Sequence, residues 1–496
     1  MNIQSKLLDT PRTRQQSGST IVTVLGFIVV TSMVFGAVLT RGMHTFRQVS
    51  HIASWQEALL AAESGSDTGM NELRKTLVDP TGSFAGWSTV DANGVALPNH
   101  GRHLSIPQIV HAGEGNTQLD VEVTVDAPRE LNYDGNVDYV EQVPFGSPRQ
   151  WYRIRSTGTT YLPGAARITP DKRDHLLRQL SFVWNPKTKQ PVARPQSSRL
   201  VELLVKPTGF ENAIVSDLPI NLNNEKITVD SYDSRYANKS TNGLYDPAKR
   251  LENGDVATNS QLLQAGDAHI YGDAYTNAGT IQNGANIAGE QHNDYYQELN
   301  PIKKPEWTNI SPGPPVLSGS TTLTGGTEGN PKRYKFNSMS ITGNEVLTFA
   351  PSSPGVESYT EVWITGDFKT SGSGSIVVQP GANVKIFLEG NADIKGNGTM
   401  NANSRPVQLQ ILAVEPPGGS SRTMNFSGNG VIVAAIYAPD HDIVFGATGS
   451  AGTMWGSLTG KSLTMGGTTF IHYDEALADL GYVTNYKIRS WFEDAK

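Results

Sequence analysis

The apolar positions of this chain change texture twice between its two ends. The first texture is an unbroken run, Ile21 to Thr40, twenty residues without a charge. At about 1.5 Å of rise per residue, a helix of that length spans roughly 30 Å, the thickness of a bilayer's hydrocarbon core. From Val49 onward the apolar residues Val49, Ile52, Leu59, Met70, Leu73 and Leu77 keep one face of a helix. Gly65 and Gly69 weaken that helix and Pro80 stops it. The pattern predicts a basic leader over 1–18, then one long helix over 19–79 whose first part, 21–40, is a transmembrane span.

The second texture covers 80–210. Leu119–Val125, Trp151–Ser156, Gln179–Trp184 and Arg199–Val205 alternate apolar and polar residues, the period of half-buried strands. They predict an antiparallel sheet packed on the amphipathic part of the helix. The third texture starts at 211. Strands of three to five residues alternate with Gly/Asn/Asp turns over 211–290 and again over 336–480, as in a solenoid whose coils bury their inward residues on one another. Inward positions in the first stretch are Ile220, Ile227, Val229, Val256, Ile270, Ile281 and Ile287. In the second they are Ile364, Ile376, Ile386, Ile394 and Leu409. The proline-dense stretch 291–335 reads as an extended linker or a loop wrapping the outside. Asp474–Leu480 reads as a short helix closing the last coil, and 481–496 as a C-terminal tail. A β-sandwich with Greek-key links is the alternative for the body.

Composition narrows the function. The 496 residues carry a net charge of −7 with no basic tract, which argues against a nucleic-acid partner. With no cysteine, disulfides and Cys-based metal or redox chemistry are excluded. Fifty glycines suit a β chain rich in turns. No G-x-S-x-G or HExxH pattern occurs. Gly456–Ser462 (GSLTGKS) lacks the spacing of a phosphate-binding loop. Asn132, Asp134, Asn136 and Asp138 alternate carboxylate and amide oxygens, but no register supplies the glycine and glutamate of an EF-hand, and the same residues make plain hairpin turns. Asp440, His441, Asp442, His472 and Asp474 form an acid–base set only if neighbouring coils stack them; otherwise they are solvated turn residues. The expectation is a protein without catalytic, cofactor-binding or metal-binding residues.

The flanks of the apolar run carry the most information. Lys6, Arg12 and Arg14 precede it, and Arg41, His44 and Arg47 follow directly. A cleavable signal peptide has a shorter core and a small-residue cut site after it, so an anchor fits better. The weak basic excess on the N-terminal side favours a cytoplasmic N-terminus and an exported body. Ser32, Gly36 and Thr40 recur every four residues as a small-residue ridge along which a second helix can pack.

A basic leader, Gly18–Ser19, and an apolar helix running on into an amphipathic one together resemble a type IV prepilin. The run Glu57–Gly65 (EALLAAESG), Tyr152–Thr159 (YRIRSTGT), Ala435–Pro439 (AIYAP) and Ile471–Leu477 (IHYDEAL) are similar to PilX-type minor pilins and related pilus-assembly proteins. That resemblance implies cleavage after Gly18, leaving Ser19 as the first mature residue. It implies an inner-membrane, single-pass protein whose body reaches the periplasm, pilus or cell surface. Its partners would be other pilin subunits and the assembly machinery, with surface glycans or other cells as possible targets. The family usually has Glu at the fifth mature position; here that residue is Thr23, which weighs against a repeated shaft subunit. The fold expected is mainly β with one long N-terminal helix: a pilin-like helix and β-sheet head, then a right-handed parallel β-helix-like C-terminal domain. The competing functional readings are a membrane-tethered β-helix enzyme acting on polysaccharide and a bactofilin-like scaffold.

Overall fold

The computed structural model describes residues 17–79, 82–91, 95–97, 101–110, 118–127, 151–161, 195–222, 226–401, 404–446 and 451–495. The predicted Gln179–Trp184 strand and the Asn132–Asp138 run lie outside the described residues.

One helix, α1 (Ser17–Val78), runs without a break through both the apolar run and the amphipathic stretch. Its C-terminal part lies on a five-stranded antiparallel sheet of β1 (Arg102–Val110), β2 (Gln118–Asp126), β3 (Tyr152–Tyr161), β4 (Pro195–Thr208) and β5 (Asn485–Ala495), in that order. Alternation does the burying. Val121, Val123 and Val125 on β2, Ile154 on β3, and Val201, Leu203 and Val205 on β4 all point at Ala62, Met70 and Leu73 of α1. The glycines that weaken α1 are what let it sit close. A Cβ on Gly65 would fall 2.1 Å from Ser156 Oγ, and one on Gly158 would fall 2.1 Å from the Ala58 carbonyl. At the sheet's edge the buried Asp126 accepts two hydrogen bonds from Arg153, at 2.9 and 2.7 Å, and a third from Arg155 at 3.1 Å.

The stretch that pattern alone left as a tail therefore holds the fifth strand of the head. Its partner, β4, is some 280 residues earlier in sequence (Asn485 opposite Thr208), and its own alternation is broken by a bulge between Ile488 and Ser490. Neither feature is local, so neither shows in a window of sequence.

Most of the described chain between β4 and β5 is a stack of parallel strands in three ladders. One ladder runs, in spatial order, through 332–336, 358–364, 382–388, 409–413, 434–438, 456–460, 214–216, 256–258, 274–275 and 291–292. A second runs from 316–318 and 338–341 to 280–282. A third runs from 321–324 and 346–350 to 269–270, with Ile287 bridged beyond it. Of the expected inward residues, Ile220, Ile227, Val229, Val256 and Ile270 are fully buried, and Ile281 and Ile287 pack partly buried at the end coil. Ile364, Ile376, Ile386, Ile394 and Leu409 are also core, spread over all three ladders rather than stacked in one row.

The spatial order is not the sequence order. Leu458 pairs with Ile214, Leu463 with Ile220 and Ile471 with Val229, so the coil at 451–474 is continued by the one at 214–232. The chain enters in mid-stack, winds to one end at 292, returns along the outside, re-enters at the far end at 316, and winds back to meet its own start. The returning segment lies on the outer side of the first ladder. Ile302 is buried and bridged to Val414, Tyr437 donates to the Asn300 carbonyl at 2.9 Å, and Trp307 meets Trp363 and Phe387 edge-on at 6.1 and 5.5 Å. Residues 316–318, 321–324 and 332–336, read from sequence as part of a linker, are solenoid strands. The short helix α2 (Leu477–Leu480) does not close an end coil, because the 227–232 strand stacks beyond the strand that precedes it. It forms the joint between solenoid and head, where Asp479 pairs with Lys206 and Arg235.

Candidate functional site

The feature that distinguishes this molecule is the exposed half of α1. Residues 22 to 49 carry Val22, Phe27, Met33, Phe35, Val38 and Phe46 among others, and nothing among the described residues covers them. By length and composition α1 is able to cross a membrane. Gly18 and Ser19 fall in its first turn, and Thr23 just beyond. Ser32 and Thr40 are exposed and Gly36 half-exposed, and no atom approaches where a Gly36 Cβ would be. The Thr40 hydroxyl donates to the Gly36 carbonyl at 2.8 Å, so it is satisfied within the helix and leaves the ridge small.

The acid–base residues do not converge. His441 stands on the second ladder opposite Arg422, whereas His472 stands on the third opposite Asp230. His441 is fully buried, with the Gly390 backbone the one group beside the ring that favours its charged form through a hydrogen bond. Burial, with Arg422 adding to it, pushes its pKa down to about 4. Asp440 is raised by burial and by Glu415. Asp442 is partly desolvated, yet hydrogen bonds from Ser421 and Ser462 hold its carboxyl below the usual range. His472 Nδ1 is 2.6 Å from Asp230 Oδ1, Tyr245 donates to the other Asp230 oxygen at 2.8 Å, and the Tyr245 ring stacks on the imidazole at 3.6 Å. Asp474 Oδ1 accepts from the Ser234 and Ala476 amides, the Ser234 side chain also favours the carboxylate, and burial outweighs these and raises the group to about 6. These are separate, locally satisfied or desolvated groups, not one constellation. Among the described residues no cluster of three or more His, Cys, Asp or Glu side chains is arranged to hold a metal ion. The GSLTGKS run lies inside the strand Ala451–Met465, with Gly456 paired to Ala434 and Ser462 to Asp442.

A cleft of about 770 Å³ lies between head and solenoid, with Phe84, Arg102 and Pro207 on one wall and Tyr359, Glu361 and Lys385 on the other. Its walls come from segments hundreds of residues apart, so no sequence motif announces it.

A protein-family model described as a domain of unknown function, DUF7305, matches residues 307–480. No curated protein matches the chain by sequence. Among solved structures, the competence-associated pilin ComZ from Thermus thermophilus aligns over 90% of this chain and 98% of its own, at 10% identity and a TM-score of 0.26. An ice-binding protein from the Antarctic ascomycete Antarctomyces psychrotrophicus aligns over 53% of this chain and 98% of its own, at 14% identity and a TM-score of 0.25. Both TM-scores are low, and neither likeness bears on function.

Proposed function

We propose that the chain is a pilin-like protein of the PilX minor type, which uses α1 first as a membrane anchor and then as a packing rod, and displays the solenoid for pilus assembly, adhesion or surface attachment. One observation carries the reading. A single uninterrupted helix is packed on its own sheet over residues 58–73 and, among the described residues, left bare over 22–49, with 22–40 apolar and uncharged. A bare apolar rod rigidly joined to a folded head needs lipid or other rods around it. Gly18–Ser19 supplies the cut that hands the rod from one to the other, and Ser32, Gly36 and Thr40 its close-packing ridge. The work is display and packing, without catalysis or cofactor.

The test is the mature N-terminus of protein recovered from sheared surface fibres. Mass spectrometry should find Ser19 first. Intact Met1, or protein that stays in the inner membrane and never reaches fibres, overturns the proposal.

A further inference from the structure

We infer that the sheet face beside α1, at β5, is the seat for the juxtamembrane part of a second copy's α1. This rests on the pilin-like reading and names the surface that the rod meets.

The argument begins with what α1 leaves uncovered. The helix packs on β2, β3 and β4 and barely reaches β5. Paired residues of antiparallel strands share a face. Ile488 pairs with Val205 and Trp491 with Leu203, and both of those partners are buried under α1. Ile488 and Trp491 therefore lie on the helix side of the sheet, yet they stay 42% and 50% exposed. The flank of α1 that borders them is fixed by contacts at both ends. Arg199 lies over the Trp55 ring and pairs with Glu493, while Thr76 meets Tyr486 at 3.3 Å. From Trp55, steps of four lead to Leu59, Glu63 and Asp67 along that flank. The result is a channel with an apolar floor and an acidic rim of Glu63, Asp67 and Glu493.

The occupant is chosen by charge and shape. Arg41, His44, Arg47 and His51 follow the membrane span with no acidic residue before Glu57. Among the described residues neither Arg41 nor Arg47 has an ion-pair partner. Met43, Phe46, Val49 and Ile52 on the same stretch are more than half exposed. A basic rod with exposed apolar residues fits an apolar channel with an acidic rim. It cannot be the molecule's own rod, since α1 is continuous and does not fold back. A second copy drawn out of the bilayer into a fibre runs parallel to the first. Setting its Arg47 beside Glu63 staggers the two by sixteen residues, about 24 Å at 1.5 Å per residue. Phe46 then stands level with Ala62, between Trp55 and Thr76, where Ile488 and Trp491 wait.

The absence of cysteine makes the test direct. Two full-length variants, Phe46→Cys and Trp491→Cys, are co-expressed with different epitope tags and oxidised in sheared fibres. The expected product is a mixed disulfide dimer, lost with Arg47→Glu on the rod copy and regained with Glu63→Arg on the seat copy. Phe492→Cys, on the opposite face of β5, should not link. No 46–491 dimer, or equal linkage to 492, overturns the inference. So does a photo-crosslinker at 491 that captures a different rod-bearing protein instead. Protein found in fibres without the link leaves the pilin-like reading standing and removes this seat. A link formed in fibres by protein that still begins at Met1 keeps the seat and removes the cut after Gly18.

Discussion

Replacing Asp474 by Asn should make this protein more stable at pH 8 and change it far less at pH 4.5. Asp474 is fully buried, and its Oδ1 accepts the Ser234 amide at 2.9 Å and the Ala476 amide at 3.2 Å. Burial raises the carboxyl from 3.8 to about 6. A carboxyl raised on folding is easier to ionise in the unfolded chain. Its ionisation therefore costs nothing below pH 3.8, begins to cost above that, and costs the full amount above pH 6. A shift of about two units corresponds to roughly 3 kcal/mol at pH 8 and about 1 kcal/mol at pH 4.5. Asparagine keeps the acceptor that holds both amides and removes the charge. Urea unfolding of the full chain in detergent, at both pH values, reads the difference. An equal gain at both, or a loss at both, refutes the reasoning. The buried His441, pushed down to about 4 from an ordinary 6.5, slopes the other way. The unfolded chain binds its proton first, so stability is lost as pH falls from 6.5 toward 4, by about 3 kcal/mol in all. His441→Gln should remove that loss and leave pH 8 nearly unchanged.

Two further outcomes follow from how the coils stack. Gly398→Ala places a Cβ 1.8 Å from the Gly374 carbonyl of the neighbouring coil, whereas at Gly329 nothing lies within 4 Å. The first should cost about 1–3 kcal/mol or more in urea unfolding, and Gly329→Ala should cost nothing. A protease site placed near Gly313 in the returning segment should, when cut, leave two fragments that co-elute in size-exclusion chromatography. The Leu458–Ile214, Leu463–Ile220 and Ile471–Val229 pairings join them, as does the β4–β5 pairing in the head. Fragments that separate without denaturant would mean that these pairings do not hold the two halves together.

What could be read from sequence was what is local. The twenty uncharged residues of the span, the spacing of Leu59, Met70 and Leu73, and the alternation of Leu119–Val125 each carry their own periodicity. So do the inward aliphatics of the short strands, which is why Ile220, Ile364 and Ile386 proved to be core. What could not be read was any pairing across distance. Nothing around Trp491 says that its partner is Leu203, and nothing around Leu458 says that the next coil starts at Ile214. The site residues divide the same way. The bare rod with Ser32, Gly36 and Thr40 is a local pattern. The separation of His441 from His472 onto different ladders, and the head–solenoid cleft, depend on winding that no window of sequence contains.

The permuted winding has a geometric reason. The solenoid is inserted between β4 and β5, which are neighbours in one sheet, with Thr208 paired to Asn485. The insertion must therefore leave the head and return to it at one place. A solenoid wound in sequence order ends far from where it starts. The first ladder has ten strands, and nine spacings of about 4.8 Å put its ends roughly 43 Å apart. Starting in mid-stack at 214, running out to 292, crossing outside to 316 and winding back to 474 brings the two ends together at α2. There Gly209 donates to the Ala478 carbonyl and Thr484 to the Thr208 carbonyl, both at 2.9 Å. The crossing has length to spare, since residues 293–315 reach about 75 Å when extended. Its contacts through Ile302 and Trp307 hold it down as part of the first ladder's outer layer. A rigid passenger of ten coils is thereby carried on a head whose sheet stays continuous, and the load between them passes through two adjacent strands and the Asp479 ion pairs rather than through one flexible tether.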